Sequence, residues 1–361
     1  MCARFVLLLV AMAASMAHVG HSATKSPEEP RFQGRRLGSW LLAMPDFPEC
    51  GPSNCRPFVA LGTNAVPYLA WVVGRTNIDA RDTMSLLRTM HARRTLEPSE
   101  EMLRSVQAKA AFVLEQLGSA ARPATPALLM ALRQGAGNQR LAAALALGAI
   151  APRRPEASSL LENVLTTSPT GAPSAIAGIG SDAEIISALA GLAVVPRAGS
   201  WEKAAATVAL CQASEDRGQT TRVLARLWAK QDRGFRLNVL PLLTRRLGAD
   251  AFTVLREART DRDPGVRRNA AVLQGELYEA SPQEVVEALL WAADDESASV
   301  RFAALQTLWR IHPDSDAAVD ASLDALDDTD PGIRGTATSR LSRYTGPRIE
   351  EVRRRMDGKP K

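Results

Sequence analysis

One phrase occurs three times in the last third of the chain. Its copies are Asp261-Arg-Asp-Pro-Gly-Val266-Arg267, Asp295-Glu-Ser-Ala-Ser-Val300-Arg301 and Asp328-Thr-Asp-Pro-Gly-Ile333-Arg334. Ala270, Ala304 and Ala337 follow four residues after each Val or Ile, and Leu277, Ile311 and Tyr344 follow eleven after. Those spacings put the residues on one face of a helix, with a small side chain where a second helix approaches closely. One such helical unit cannot cover its own apolar face. Stacked neighbours can, so a repeat array is the first architecture the sequence points to.

A shorter signature carries the period toward the N-terminus: Leu61-Gly62-Thr-Asn-Ala65, Leu117-Gly118-Ser-Ala-Ala121, Ile179-Gly180-Ser-Asp-Ala183 and Leu247-Gly248-Ala-Asp-Ala251. Leu147-Gly148 reads as a shortened relative. Each signature lies between two apolar helical patterns. The glycine can adopt the left-handed conformation that ends a helix, and the Ser, Thr, Asn or Asp after it can cap the next. Pro67 and Pro123 suit a first helical turn, where the missing N–H has no partner to lose. The turns recur about every 30–34 residues, with a degenerate one near Ser214. Further steps fall near Ala280, Asp314 and Gly346, all predicted loops.

Composition agrees. The chain has 361 residues, more than one small core requires. Aromatics make up only 5% of the chain, against a hydrophobic content of 46%, a mix suited to close-packed helices and poorly suited to sheets. The predicted class is all-α: a right-handed α-solenoid of stacked antiparallel helix pairs. Its expected divisions are a leader at 1–22, a linker and N-terminal cap at 23–55, repeats at 56–167 and 168–356, and a tail at 357–361. Residues 76–99 fit the repeat poorly, and 168–173 form a Pro/Gly/Ser interruption. Ser22 to Phe32 reads as a flexible linker. Trp40, Leu41 and Leu42 close the front of the array, and Arg348 to Arg355 supply a polar final helix.

The phrase D-x-x-x-x-V-R-x-x-A resembles the HEAT repeat, in its short bacterial form related to the repeats of phycobilin lyases. The resemblance is strong from Asp261 to Arg354 and weaker back to about Arg56. Gly34-Arg-Arg-Leu-Gly-Ser-Trp40-Leu-Leu, with Ala60-Leu-Gly-Thr-Asn-Ala-Val-Pro-Tyr68-Leu, also resembles the N-terminal end of exported bacterial HEAT-repeat proteins. The resemblance specifies a fold. It does not specify a function, because repeat arrays serve many roles.

The N-terminus has the form of an export signal. Arg4 precedes an uncharged apolar run, Phe5 to Ala17, and Ser15-Met16-Ala17 fits cleavage after Ala17, with Gly20-His21-Ser22 as a second candidate. The run falls short of the roughly 20 residues that span a bilayer; an uncleaved anchor is the alternative. A periplasmic or secreted location follows as an expectation. In an oxidising compartment Cys50 and Cys55, bracketing a turn-forming Gly-Pro-Ser-Asn, would close a small disulfide loop. Cys211 lies in an apolar helical run and reads as a buried free thiol.

Candidate sites are few. Stacked one per repeat, Asp261, Asp295 and Asp328 would form one row and Arg267, Arg301 and Arg334 another. They form either a charged groove for an anionic partner or a structural ladder, in which each Arg pairs with neighbouring acids and carbonyls. Ser200-Trp-Glu-Lys203 matches S-x-x-K, but the S-D-N and K-T-G elements that accompany it in serine acylases do not occur. Gly135-Ala-Gly137-Asn138 reads as an inter-helix turn. Past the leader the only histidines are His91 and His312, and no metal-ligand or nucleophile motif accompanies them. No catalytic, metal or cofactor residue is therefore assigned. The paired arginines (Arg35-Arg36, Arg93-Arg94, Arg245-Arg246, Arg267-Arg268, Arg353 to Arg355) lie on a chain of net charge +5. Interleaved acids, scarce aromatics and the export signal argue against nucleic acid. The expected function is a non-catalytic scaffold offering a concave surface to a protein or peptide, with exposed Trp or Arg as anchors; Trp291 and Trp309 are either such anchors or core. An anionic glycan or lipid-headgroup binder, and a lyase-like enzyme with a groove-bound substrate, are the alternatives.

Overall fold

The computed structural model describes residues 27–75, 100–151, 153, 157, 161–162, 165–166, 181–194, 199–313 and 315–358. The leader, the 76–99 stretch with His91 and Arg93-Arg94, the 168–173 interruption and Gly180 lie outside the described residues.

The chain enters through a short hairpin, β1 (Arg31–Phe32) pairing antiparallel with β2 (Arg35–Arg36). Gln33 and Gly34 take φ of 50° and 75°, the backbone a tight hairpin turn requires. Residues 27–32 are therefore not the loose linker expected. Glu29 accepts from the Gly38 N–H at 2.8 Å, and the Trp40 indole donates to the Phe32 carbonyl at 3.4 Å. Helix α1 (Leu37–Ala43) then buries Leu37 and Leu41 as the front cap.

After α2 (Arg56–Leu61), the helices sort into two layers. Odd-numbered helices form the outer layer: α3 (Val66–Val73), α5 (Thr125–Gln134), α7 (Ser181–Val194), α9 (Arg217–Arg226), α11 (Phe252–Ala258), α13 (Pro282–Ala293), α15 (Asp316–Asp324) and α17 (Ile349–Met356). Even-numbered helices form the inner layer: α4 (Glu100–Leu117), α6 (Asn138–Ile150), α8 (Ser200–Ala213), α10 (Arg233–Leu247), α12 (Pro264–Gln274), α14 (Ala298–Ile311) and α16 (Pro331–Leu341). Each inner helix packs against the next, from α4 to α16, and the apolar core runs between the layers. The fold is thus the all-α solenoid the repeats imply.

Local chemistry sets the helix starts. Asp232, Asp263, Ser315 and Asp330 each accept a backbone N–H from the first turn of the helix they open. Pro264, Pro282 and Pro331 occupy first-turn positions. The glycine signatures behave differently from expectation. Gly62, Gly118 and Gly248 do take positive φ, at 55°, 55° and 56°. Each then opens a tight 3-10 turn that runs straight into the next helix without a side-chain cap. Leu147-Gly148 is not a turn at all. Gly148 lies inside α6, and a Cβ there would sit 2.6 Å from Ala209 Cα of α8, so the glycine permits helix contact.

That contact belongs to an Ala-rich stretch in which α6 and most of α8 are buried on every side. The cause is curvature. Packed helices lie about 8–10 Å apart, so a flat layer would hold α4 and α10 roughly 27 Å apart. Instead Arg246 Nε meets Glu115 Oε1 at 2.8 Å, and Arg246 Nη2 meets Glu115 Oε2 at 3.0 Å. The inner layer curls around this bidentate pair and is the concave side of the array.

Candidate interaction surface

The Asp and Arg rows expected from the repeated phrase do form, and they form a ladder. Arg267 grips both Asp295 oxygens, through Nε at 2.7 Å and Nη2 at 2.9 Å, while its Nη1 donates to the Asp261 carbonyl at 2.8 Å. Arg301 repeats the pattern one repeat later, with both Asp328 oxygens at 2.8 and 2.7 Å and the Asp295 carbonyl at 2.9 Å. Each carboxylate also accepts the N–H two residues on: Asp263 to Asp261, Ser297 to Asp295 and Asp330 to Asp328. Every rung therefore ties one repeat to the next, and the fork of Arg is what makes the double attachment possible.

Sequence reasoning missed the first rung. Arg236, 1% exposed, lies one repeat before Arg267 and pairs with Asp261 at 2.9 Å. The Trp228 indole donates to the same carboxylate at 2.7 Å. The last rung is open. Arg334 donates to the Asp328 and Thr329 carbonyls at 2.7 and 3.0 Å and is otherwise exposed. The charged-groove reading of these rows is thereby corrected: the Arg267 and Arg301 guanidinium groups are spent holding repeats together. The ladder also sets the acid groups. Burial alone would raise the Asp295 carboxyl, yet the bonds from Arg267 and the Ser297 N–H outweigh it and hold the group below its ordinary value. The Arg301 guanidinium does the same for Asp328.

The other sequence candidates have structural places. Ser200 opens α8, and its hydroxyl accepts from Asn238 at 2.8 Å; Glu202 of the same tetrapeptide pairs with Arg140 at 3.1 Å. Gly135 to Asn138 is the turn between α5 and α6. His312 ends α14, 3.4 Å from the Tyr278 hydroxyl. Cys50 and Cys55 are separate buried thiols, not the expected closed loop. The tetrapeptide between them winds into a 3-10 turn that starts α2 and seats both sulfurs among apolar neighbours. Burial pushes the Cys50 thiol up to about 11, and those of Cys55 and Cys211 to about 12. Several of the paired arginines are engaged singly in ion pairs: Arg245 with Glu276, Arg246 with Glu115, Arg353 with Glu350 and Arg355 with Asp327.

Two stretches of the concave side differ. The first is covered by the chain itself. Asp46 pairs with Lys109 at 2.9 Å and accepts from the Ser105 hydroxyl; the Phe47 ring lies 5.9 Å from that of Phe112; Asn138 donates to the Phe47 carbonyl at 2.9 Å. Ser105, Lys109 and Phe112 share one face of α4, while Gln107 points the other way, toward the Val72 carbonyl of α3. Residues 44–50 thus lie across the concave side of α4 and the start of α6.

The second stretch, along α12, α14 and α16, is open. Phe302 is 40% exposed and Val272 37%. Arg268, Arg310 and Arg343 are exposed beside them. Arg340 stacks 5.5 Å over the Trp309 ring and donates to Gln306 at 2.6 Å. Between α14 and α16 runs a shallow cavity of about 610 Å³, lined by Gln306, Trp309, Gly335, Thr336, Arg340 and Arg343. Of the two tryptophans in question, Trp309 is core, with its indole donating to Ser322 at 2.6 Å. Trp291 is 47% exposed on the outer layer, with the Arg259 guanidinium over its ring.

Comparison with known proteins returns one family. A family model for HEAT repeats matches residues 286–358, which span most of α13 and α14 to α17. No curated protein matches the chain. No helix among the described residues is long and apolar enough to cross a membrane.

Proposed function

We propose that this chain, an all-α solenoid of the HEAT-repeat family, is a binding or scaffold protein of the cell envelope or exterior. It engages a protein or peptide through the concave side of its C-terminal repeats. HEAT-repeat arrays are typically non-catalytic and present extended surfaces to other proteins, which supports the coarse part of the reading. One observation carries the finer part. The concave side is covered by the chain's own segment over α4 and α6, but over α12, α14 and α16 it exposes Phe302 and Val272 among arginines. Large apolar side chains and arginine are the residue types that anchor interfaces. The envelope or exterior location rests on the form of the first 22 residues alone.

Affinity capture tests the reading. The chain from about His18 onward, the form left by signal cleavage, is immobilised against envelope and secreted extracts at low and high salt. A protein retained at high salt and lost when Phe302 is replaced by Ser supports the scaffold. Retention of polyanions alone, released by salt, replaces it with an anionic-polymer binder, a reading the exposed arginines of the same face favour second.

A further inference from the structure

The open concave face has a chemistry that selects its occupant. The repeat step aligns α12, α14 and α16 at their N-caps, Asp263, Ser297 and Asp330. Equal offsets then place Arg268 beside Phe302, and Val272 beside Gln306. Arg310 reaches back to the Val272 carbonyl of α12, and Arg343, just past the end of α16, lines the cavity with Arg340. Among the described residues, no carboxylate is paired with Arg268, Arg310, Arg340 or Arg343, while the ladder arginines next to them are all but one engaged by acids. Two of the four are already held in place: Arg310 by the Val272 carbonyl at 3.2 Å, and Arg340 by the Trp309 ring and Gln306. A fixed guanidinium fork loses little freedom on meeting a carboxylate. Glu276, just past the end of α12 at the register of Arg310, is turned toward Arg245 of α10 at 3.8 Å; other acids are concentrated at Asp294, Asp320, Asp324 and Asp327, which line the groove between α13 and α15.

We propose that this face binds an extended acidic peptide segment, with carboxylates on Arg268, Arg310, Arg340 and Arg343 and an apolar side chain against Phe302 and Val272. The proposal deepens the binding reading above and rests on it. Spacing sharpens it. Neighbouring helices lie about 8–10 Å apart, and an extended chain advances about 10 Å in three residues. An acidic residue at every third position advances about one inner helix per step, and Arg310, which reaches back to the Val272 carbonyl of α12, takes up the offset between its position and that of Arg268. Phe302, Val272 and Gln306 interrupt the arginines, which fits a peptide carrying apolar residues between its acids better than a continuous polyanion.

The test uses the full chain and a fluorescent synthetic peptide repeating Glu-Ser-Leu, read by fluorescence anisotropy. Comparison peptides carry Lys for Glu, or the same residues with the Glu clustered. The expected result is binding of the repeating Glu peptide, with weaker binding of the clustered one and none of the Lys one. Arg268→Glu and Arg310→Glu should each weaken it about tenfold, the size of one charge-assisted pair, and Phe302→Ser should weaken it even at high salt. All three positions are exposed, so circular dichroism should show unchanged helicity. Equal binding of the Lys peptide, or no binding of the Glu peptide to the unmodified chain, overturns the proposal without recourse to any variant. Tighter binding of heparin than of the peptide, unaffected by Phe302→Ser, replaces it with a polyanion surface. Concentration-dependent self-association abolished by Arg310→Glu replaces it with the acidic groove of a second copy. In the extract capture, the double variant Arg268→Glu/Arg310→Glu, with Phe302 kept, separates the two readings. If it still retains the protein partner, this inference falls and the scaffold stands; if the unmodified chain retains no protein, the scaffold falls.

Discussion

At the residue scale, the array is held by arginines that each serve two repeats. Asp261 carries the most, since it answers the buried Arg236, the Trp228 indole and the Asp263 N–H together. Asp261→Ala should cost about 3–5 kcal/mol, because it leaves a buried guanidinium without its charge partner. Arg334→Ala, at the open end, should cost less than about 1 kcal/mol. Urea denaturation midpoints measure both, and equal effects would contradict the ladder account. The acids give the ladder a pH signature. Asp295 and Asp328 are held below 3.8, their ordinary value, in the folded chain. A depressed folded pKa contributes stability that is fully present above the unfolded value and is lost as pH falls through the folded one. The urea midpoint should therefore stay flat from neutral pH down to about 5 and drop below about 4, and Asp295→Asn should flatten part of that drop. Three rungs were legible in the sequence because Asp and Val-Arg recur in one phrase. Arg236 was not, because Lys230 stands where the phrase has Asp261 and Phe235 replaces its Val. The usable signal was Asp232 four residues before Arg236, the offset that also separates Asp263 from Arg267 and Asp330 from Arg334.

At the scale of elements, the paired helices were legible from apolar spacing, and the role of each glycine was not. Gly62, Gly118 and Gly248 turn the chain, but Gly148 carries the same Leu-Gly signature inside a helix. What separates them is Ala209, a neighbour from a distant helix that a local pattern cannot register. The two kinds of helical glycine predict opposite outcomes. Gly191 lies in α7 with nothing within 4 Å of an added Cβ. Gly191→Ala should stabilise the chain by up to about 1 kcal/mol through helix propensity and a less flexible unfolded chain. Gly148→Ala gains the same propensity but drives a methyl into the Ala209 backbone, an overpacking cost of about 1–3 kcal/mol, and should be destabilising on balance. Thermal midpoints of the two variants decide the matter; a gain at both positions would mean that α6 and α8 pack less tightly than their geometry indicates. The open face was legible only in part for a similar reason. Paired arginines were visible, but which of each pair enters the ladder and which faces out depends on the helix face it occupies: Arg267 inward, Arg268 outward.

For the whole molecule, a solenoid in which each repeat touches only its neighbours should unfold as a chain of weakly coupled units. The Glu115–Arg246 pair breaks that rule, because it joins the first described inner helix to the fourth. The segment carrying Asp46, Phe47 and Cys50 is packed into the same place, where Lys109, Glu115 and Arg246 all act on the Cys50 thiol. The N-terminal half is therefore closed on itself and the C-terminal half is a spring with one free face, the side on which binding is proposed. Closure makes a measurable demand. Glu115→Ala and Arg246→Ala should each cost about 3–5 kcal/mol, since either leaves a mostly buried charge unpaired. The double variant should fall short of their sum by about 1–3 kcal/mol, as contacting residues do. Each single variant should also raise the radius of gyration in small-angle scattering, as the curl relaxes. Hydrogen exchange adds the spatial readout: α4, α6, α8 and α10 should exchange together in the unmodified chain and separately once the pair is broken, while α12 to α16 stay unchanged. Additive costs with an unaltered radius would mean that curvature is set by the alanine-lined helix contacts alone.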